Sequence, residues 1–304
     1  SKKAFLYLIS YDLKKIYLEK LNNLSQNIKF EINSQNKKNI KDYSLKKYPI
    51  SFDEYKKKFD LIQDEIKKGN SYLLNLTTKT KIDTNLSLDE IYEAASSLLK
   101  LRVKIDDLDF VCFSPEKFID IKDNKIYTYP MKGTIDTNLN DSKNILLNSK
   151  KELAEHTMVV DLLRNDLGKV ANNIKVEEFR KFSKIVTKDR ELFQTSSIIS
   201  ADLQNNWQEK IGDIFSNILP AGSITGTPKK STIEILKNIE NYDRGFYSGI
   251  FGVFDGINLQ SFVLIRFIEN INKELFYKSG GGITSDSITK QEYEELLNKV
   301  YLPF

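Results

Sequence analysis

The stretch whose residue types most invite chemistry is Tyr129-Pro130-Met131-Lys132-Gly133-Thr134, a lysine set between a proline and a glycine-threonine pair. A lysine amine acts as a nucleophile only where burial or neighbouring positive charge lowers its pKa. Two glutamate pairs, Glu152/Glu155 and Glu292/Glu295, stand three residues apart in helical patterns, so each pair shares a helix face. Carboxylates from two helices make a hard, oxygen-rich set suited to Mg2+, which usually keeps waters and engages substrate oxygens. The lysine and the glutamates are expected to face one small anionic substrate. A plainer role competes for half of the set: Glu152 and Glu292 each occupy the third position of a possible capping box, opened by Ser149 and Thr289. That leaves Glu155 and Glu295 as the pair members without a structural duty.

The elements that must position these groups can be read from period and punctuation. Residues 118–121 and 126–129 flank Lys122-Asp123-Asn124-Lys125, a hairpin signal that would deliver residues 130–134 at a strand end. Ser149 opens a helix through Leu163, and a last helix spans 290–300. Residues 249–254 and 258–267 form a hairpin about Asp255-Gly256; residues 275–279 add a third antiparallel strand, broken by Gly280-Gly281-Gly282. Residues 4–11 and 109–113 read as strands, 72–82 as an alternating strand, and 211–219 as a helix. A helix from Phe52 is capped by Ser51 and Glu54 and ended by Gly69, and residues 88–101 are predicted to be helical. Residues 33–47, rich in Asn and Lys, read as a loop or linker. Strands come in hairpins more often than singly between helices, which favours an antiparallel α+β fold over a doubly wound parallel sheet.

Further candidates carry weaker signals. The segment Gly222–Gly226 before a helix, with Thr227 as cap and Pro228 at the first position, could bind an anion through backbone N–H groups. No lysine follows Gly226, so it is not a Walker P-loop. Arg244 and Arg266 could each hold a carboxylate bidentately, and Arg164 with Asn165-Asp166 reads as an ion pair at a helix end. His156, the single histidine, lies mid-helix and reads as a packed core residue.

Composition narrows the function classes. The chain has 304 residues, 40% of them hydrophobic, enough for a sizeable core. No apolar run approaches the ~18 residues of a membrane span, and the start turns polar too soon for a signal peptide. The single cysteine, Cys112, excludes an internal disulfide and a cysteine-based metal cage. A cytoplasmic location follows as the expectation. The net charge of +4 arises from 46 basic and 42 acidic residues, and the lysines between Lys37 and Lys58 are interleaved with Asp42, Asp53 and Glu54. Such a solvated, mixed face argues against a nucleic-acid partner.

Taken together, the motifs are specific. Glu155-His156-Thr157-Met158-Val159-Val160-Asp161-Leu162-Leu163-Arg164-Asn165-Asp166-Leu167-Gly168, Pro220-Ala221-Gly222-Ser223-Ile224-Thr225-Gly226-Thr227-Pro228-Lys229, Arg244-Gly245-Phe246-Tyr247-Ser248-Gly249, and Gly280-Gly281-Gly282-Ile283 with Asp286-Ser287 and Glu292-Tyr293-Glu294-Glu295 occur in that order. In this the chain resembles the chorismate-utilising enzymes, from about Phe52 to Lys299. The resemblance implies an α+β sandwich of large antiparallel sheets with helices outside, one chorismate-binding catalytic domain over 1–304, and a site in a cleft between the sheets. It implies Mg2+ held by Glu152, Glu155, Glu292 and Glu295 against the ring carboxylate of chorismate.

Three positions sort the branches of that family. Lys132 in Pro-x-Lys-Gly-Thr resembles the aminodeoxychorismate synthases, where anthranilate synthases carry alanine. Leu73 stands where isochorismate and salicylate synthases place a water-activating lysine, and Gln194 where anthranilate synthases have a histidine linked to pyruvate elimination. The branch implies amination of chorismate, with ammonia from a glutamine amidotransferase subunit and Lys132 as nucleophile; anthranilate synthesis is the alternative, and a catalytically dead binding subunit the reading from another class. By resemblance Glu116, in Ser114-Pro115-Glu116, is the general acid, and Tyr247, Arg266 and Lys299 bind the enolpyruvyl carboxylate, with Gly133, Thr134, Gly280 and Gly282 shaping the pocket. The N-terminal region looks shortened beside relatives, with residues 1–50 the least well matched, so a tryptophan pocket is expected to be incomplete.

Overall fold

The structure, a computed structural model, describes residues 3–34, 42–186 and 191–304. Its strands are paired antiparallel throughout and fall into two large sheets. The first sheet contains β1 (Phe5–Ile9), β2 (Ile16–Lys20), β8 (Lys117–Lys122), β9 (Lys125–Thr128), β10 (Met131–Asp136), β11 (Asn172–Val186), β12 (Glu191–Asp202), β14 (Ile250–Phe254) and β15 (Leu259–Val263). The second contains β3 (Ile28–Ile32), β4 (Leu45–Tyr48), β5 (Leu73–Thr84), β6 (Leu99–Ile105), β7 (Leu108–Ser114), β13 (Gly226–Thr227), β16 (Phe267–Ile271) and β17 (Glu274–Ile283). The helices are α1 (Phe52–Lys67), α2 (Leu88–Ala94), α3 (Ser142–Asn148), α4 (Lys150–Gly168), α5 (Ile211–Ile218), α6 (Lys229–Glu240) and α7 (Thr289–Asn298).

Both faces of β1 are covered, and its sequence shows how. Leu6 and Leu8 point between the sheets, where they meet Leu99, Leu101, Phe110 and Phe267 of the second sheet. Tyr7 and Ile9 point the other way, into a core closed by Val159, Val160 and Leu163 of α4 and Phe215 of α5. A strand buried on both faces must be apolar at every position, so its run shows no polar alternation. On the outer face of the second sheet, α1, α6 and α7 pack through Tyr55, Phe59, Leu236 and Leu296 on Leu74, Leu76 and Ile283. The sandwich with outer helices is therefore the observed architecture.

The chain crosses between sheets at two adjacent points. β7 of the second sheet leads through Pro115-Glu116 into β8 of the first, and β15 of the first leads through Leu264–Arg266 into β16 of the second. The two crossings are tied reciprocally: Phe113 N–H donates to Arg266 O at 3.0 Å and Val263 N–H donates to Glu116 O at 3.1 Å. Arg266 turns in the left-handed region, φ 55°, so residues 258–267 are not one strand as expected.

Other expectations are corrected as well. Residues 88–101 are not one helix: α2, closed at its start by a reciprocal Ser87/Glu90 capping box, stops at Ala94, and Leu99–Leu101 belong to β6. Gly280-Gly281-Gly282 does not break the last strand, because the three glycines pair with Thr77, Leu76 and Asn75 inside β17. Thr227 pairs with Leu73 and Pro228 takes the N-cap of α6, so Thr227 is not a cap. Thr289 does not cap α7 either; Ile288 holds that place without a side-chain bond. β9 ends at Thr128, just before Pro130, but a new strand, β10, starts at Met131 and pairs with the same β12, so Lys132 sits within a strand rather than at a strand end. Of the expected loop at 33–47, residues 35–41 lie outside the described residues, and its last part belongs to β4.

The Gly222–Gly226 segment is spent on close packing rather than on an anion. A Cβ at Gly222 would stand 2.7 Å from Leu162 of α4, and one at Gly226, where φ is +122°, would overlap the Leu73 carbonyl. Gly226→Ala is therefore expected to destabilise the fold by more than about 3 kcal/mol, strained backbone and steric overlap together. Chemical denaturation measures this, and a loss below about 1 kcal/mol would contradict the packing described.

Candidate active site

Lys132 and Gly282 face each other across the space between the sheets. Lys132 is carried by β10 opposite Thr195, and Thr195 Oγ1 donates to the Lys132 carbonyl. The pairing shifts between Lys132 and Thr134, where Gly133 adopts φ +80°. A Cβ on Gly133 would stand 2.9 Å from Leu146 Cδ1 and 3.0 Å from Glu152 Oε2, so glycine lets α3 and α4 close on this bulge. The Lys132 amine lies 3.7 Å from where a Gly282 Cβ would be, and Leu73 Cδ1 reaches the same point at 3.1 Å. Thr134 lies opposite Gln194 on β12.

Glu116 sits on the first crossing, its N–H fixed by Ser114 Oγ at 3.1 Å. Its carboxyl accepts from Ser223 Oγ at 2.6 Å. Burial raises its pKa above the ordinary carboxylate value, against the Ser223 bond and the nearby cations Lys132, Arg266 and Lys299, which hold it down. An acid kept protonated to higher pH is suited to donate to a leaving oxygen.

Arg266, on the second crossing, lies over Tyr301, with its Nε donating to Tyr301 Oη at 3.4 Å. Tyr247 is buried beside it, and burial pushes its phenol up. Lys299, at the C-terminal cap of α7, donates to Gly280 O at 2.7 Å and pairs with Glu295 at 2.6 Å. Burial lowers the Lys299 pKa; Glu295 opposes this, while Arg266 and Lys132 add to it. A carboxylic acid, three cations and a glycine-lined strand thus converge from β7–β8, β10, β15–β16, β17 and α7.

The glutamates divide between two of these glycines. Glu292 Oε2 and Glu295 Oε1 come within 3.7 and 3.8 Å of a Cβ position at Gly281, and Glu292 also accepts from Ser287 Oγ at 2.8 Å. Glu152 lends its N–H, not its carboxylate, to the cap: Ser149 Oγ accepts that N–H at 3.2 Å, and the carboxylate turns to Gly133. Capping therefore does not disqualify Glu152, and Glu292 has no capping duty, since Thr289 does not cap α7. Glu155, three residues along α4, is half-buried. Among the described residues no three acidic, histidine or cysteine side chains are drawn together as a ready-made metal group. The donors are nevertheless of the hard carboxylate type that Mg2+ takes, and α7 brings two of them side by side.

The remaining candidates take structural places. Arg244 holds the protein's own Glu240, Nε to Oε2 at 2.8 Å and Nη2 to Oε1 at 2.6 Å, and so is not available to a substrate carboxylate. Arg164 pairs with Asp161 at 3.1 Å on the surface, rather than with Asp166. His156 is buried with Nε2 2.6 Å from Ser197 Oγ. Burial, assisted by Arg180 and Lys132, lowers its pKa to about 4, as suits a neutral packed residue. Ser223 was missed by sequence reasoning, which took its segment for an anion loop; its position in the 220–229 motif was the available signal.

The chorismate binding enzyme family matches residues 2–303 of the chain. The chain belongs to that family. It is 47% identical to an uncharacterised PabA-like protein of Haemophilus influenzae, over 98% of this chain and 92% of that one. It is 32% identical to aminodeoxychorismate synthase component 1 of Escherichia coli over 82% of this chain, but spans only 56% of that relative's length. Among solved structures, a putative isochorismate synthase from Bacillus anthracis superposes with a TM-score of 0.78 at 20% identity, covering 98% of this chain and 82% of the other. Anthranilate synthase component I from Streptococcus pneumoniae gives a TM-score of 0.72 at 24% identity, over 84% and 58%. These structural likenesses establish the shared fold. No helix among the described residues is long and apolar enough to cross a membrane.

The raised pKa of Glu116 has a stability consequence. The folded state holds this proton more tightly than the unfolded chain, so the stability linked to it is present below the ordinary glutamate pKa and is lost as pH rises through the raised value. Glu116→Gln removes that loss. Its Tm relative to the unsubstituted protein is expected to be higher at pH 8 than at pH 4.5, and an equal difference at both would contradict the burial argument.

Proposed function

We propose that this chorismate-binding enzyme aminates chorismate to 4-amino-4-deoxychorismate, using ammonia from a glutamine amidotransferase subunit. The observation that carries the reading is the Lys132 amine at Gly282, sharing that point with the side chain of Leu73. An apolar Leu73 supplies no base to activate water, while Lys132 supplies a nitrogen nucleophile. Gln194, with no imidazole, fits a reaction that stops before pyruvate elimination.

In this reading the Lys132 nitrogen adds at C2 of the ring, the double bonds shift, and the C4–O bond breaks. The hydroxyl leaves as water with the proton of Glu116, a split of one difficult displacement into two easier ones. Ammonia then bonds at C4, the double bonds shift back, and the C2–N bond breaks to return the amine to Lys132. A proton from the incoming nitrogen restores Glu116. Arg266, Tyr247 and Lys299 hold the enolpyruvyl carboxylate, with Gly133, Thr134, Gly280 and Gly282 shaping the pocket. Glu152, Glu155, Glu292 and Glu295 would hold Mg2+, which when bound neutralises the ring carboxylate and draws electron density from the diene.

Incubation with chorismate, Mg2+ and ammonium, followed by mass identification of products, tests the assignment. Aminodeoxychorismate is expected; anthranilate as the product, or no consumption of chorismate, would overturn it. Lys132→Ala should lower amination by at least about a hundredfold, in line with losing a covalent route, and an unimpaired variant would remove the lysine from the mechanism. Glu292→Gln and Glu295→Gln should each raise the Mg2+ concentration needed for half-maximal rate by about tenfold or more; unchanged dependence in both would count against the metal set.

A further inference from the structure

Behind the glycine strand lies a buried ion pair that touches no reacting group. Arg244 is 2% and Glu240 4% exposed in their side chains. Beyond its two bonds to Glu240, the Arg244 guanidinium donates from Nη2 to Asn75 O at 2.7 Å and from Nη1 to Ile224 O at 3.2 Å. Its face lies 4.3 Å from the Tyr11 ring. Glu240 Oε1 in turn accepts from Thr77 N–H and from Thr77 Oγ1, both at 2.8 Å. The five-donor fork of arginine can make such bonds at once; a lysine cannot.

These bonds end on two walls of the site. Asn75 and Thr77 are the partners of Gly282 and Gly280, and the Lys132 amine stands beside Gly282. Ile224 follows Ser223, whose hydroxyl holds the Glu116 carboxyl, and Thr225 O accepts Asn75 N–H at 3.0 Å, joining the two walls. The structure thereby connects one guanidinium to the segment that backs the nucleophile and to the segment that aims the acid. A buried pair is weak evidence for stability, because apolar residues of similar volume often serve as well; its best-supported use is to specify one arrangement among several.

We propose that the Glu240–Arg244 pair is a positioning clamp that sets the placement of Glu116 relative to Lys132. The inference rests on the amination reading for what the placement achieves, but not for the clamp itself. Both residues act through others and neither touches substrate. The test compares Arg244→Lys, which keeps the charge and loses the fork, with the paired replacement Glu240→Leu/Arg244→Met, which removes both charges together.

Both variants should fold with a lowered Tm, because buried groups of Asn75, Thr77 and Ile224 lose partners, and should keep KM for chorismate within about threefold. kcat should fall by about a hundredfold in the paired variant and less in Arg244→Lys, the scale expected when reacting groups are misplaced by about 1 Å. Combined with Ser223→Ala, the loss should be smaller than the product of the separate losses, because both act through Glu116. An unchanged kcat, or fully multiplicative losses, would overturn the clamp. If the unsubstituted protein does not consume chorismate, the amination reading fails and hydrogen exchange decides the clamp. Faster exchange confined to residues 75–77 and 223–225 in the variants upholds it, and exchange unchanged there, or raised uniformly, overturns it.

Discussion

The candidate site depends on two strands that change sheets at neighbouring points. A sandwich whose sheets were joined only at their rims would leave no reason for an acid and an arginine to meet between them. Here the crossing after β7 carries Glu116, the crossing after β15 carries Arg266, and each crossing satisfies a backbone group of the other. Buried backbone groups must find partners, so neither crossing can shift without breaking a bond to its neighbour. The left-handed turn at Arg266 fits the same constraint. It redirects the chain between sheets at a cost in backbone strain, a feature often associated with working positions.

Around this joint the other groups arrive from separate layers. β10 brings Lys132 from the first sheet, β17 brings the glycines from the second, α7 brings Glu292, Glu295 and Lys299 from outside, and α4 brings Glu152. Glycine is required where these layers close: at Gly133, so that Leu146 and Glu152 can approach, and at Gly280, where a Cβ would stand 2.7 Å from Thr77 Cγ2. The charge pattern follows from the same crowding. Three cations near one carboxyl would normally keep it ionised, yet burial outweighs them at Glu116. Membership of the chorismate binding family accounts for the shared architecture, and the chemistry proposed within it rests on Lys132, whose amine stands beside Gly282.

Much of this was legible in the sequence, and the failures have physical causes. The hairpin at 118–129 was readable because Asp123 and Asn124 are residue types that tolerate positive φ, and both adopt it. Antiparallel α+β was readable from the hairpin-rich order, and the sandwich only from the family resemblance that the long motifs carry. The glycine triplet misled because three glycines in a row signal a break, whereas here they stay in register with Asn75, Leu76 and Thr77. Residues 88–101 misled because an apolar run does not by itself tell a helix from a buried strand. Arg244 and Arg266 could not be separated by residue type alone. Arg244 lies past the left-handed Asn241 that ends α6, so helical spacing does not mark its pair with Glu240; the fold of the chain after the helix assigns Arg244 its structural partner.

The central claim, that Lys132 is the nucleophile, is tested most directly by looking for its bond to the ring. The protein is incubated with chorismate and Mg2+ without any ammonia source, quenched, digested and mapped by peptide mass spectrometry. The account predicts chorismate added with loss of water on the peptide containing Lys132, absent from Lys132→Ala and discharged when ammonium is supplied. Rapid amination by the unsubstituted protein with no such adduct, or an adduct on another residue, would contradict it.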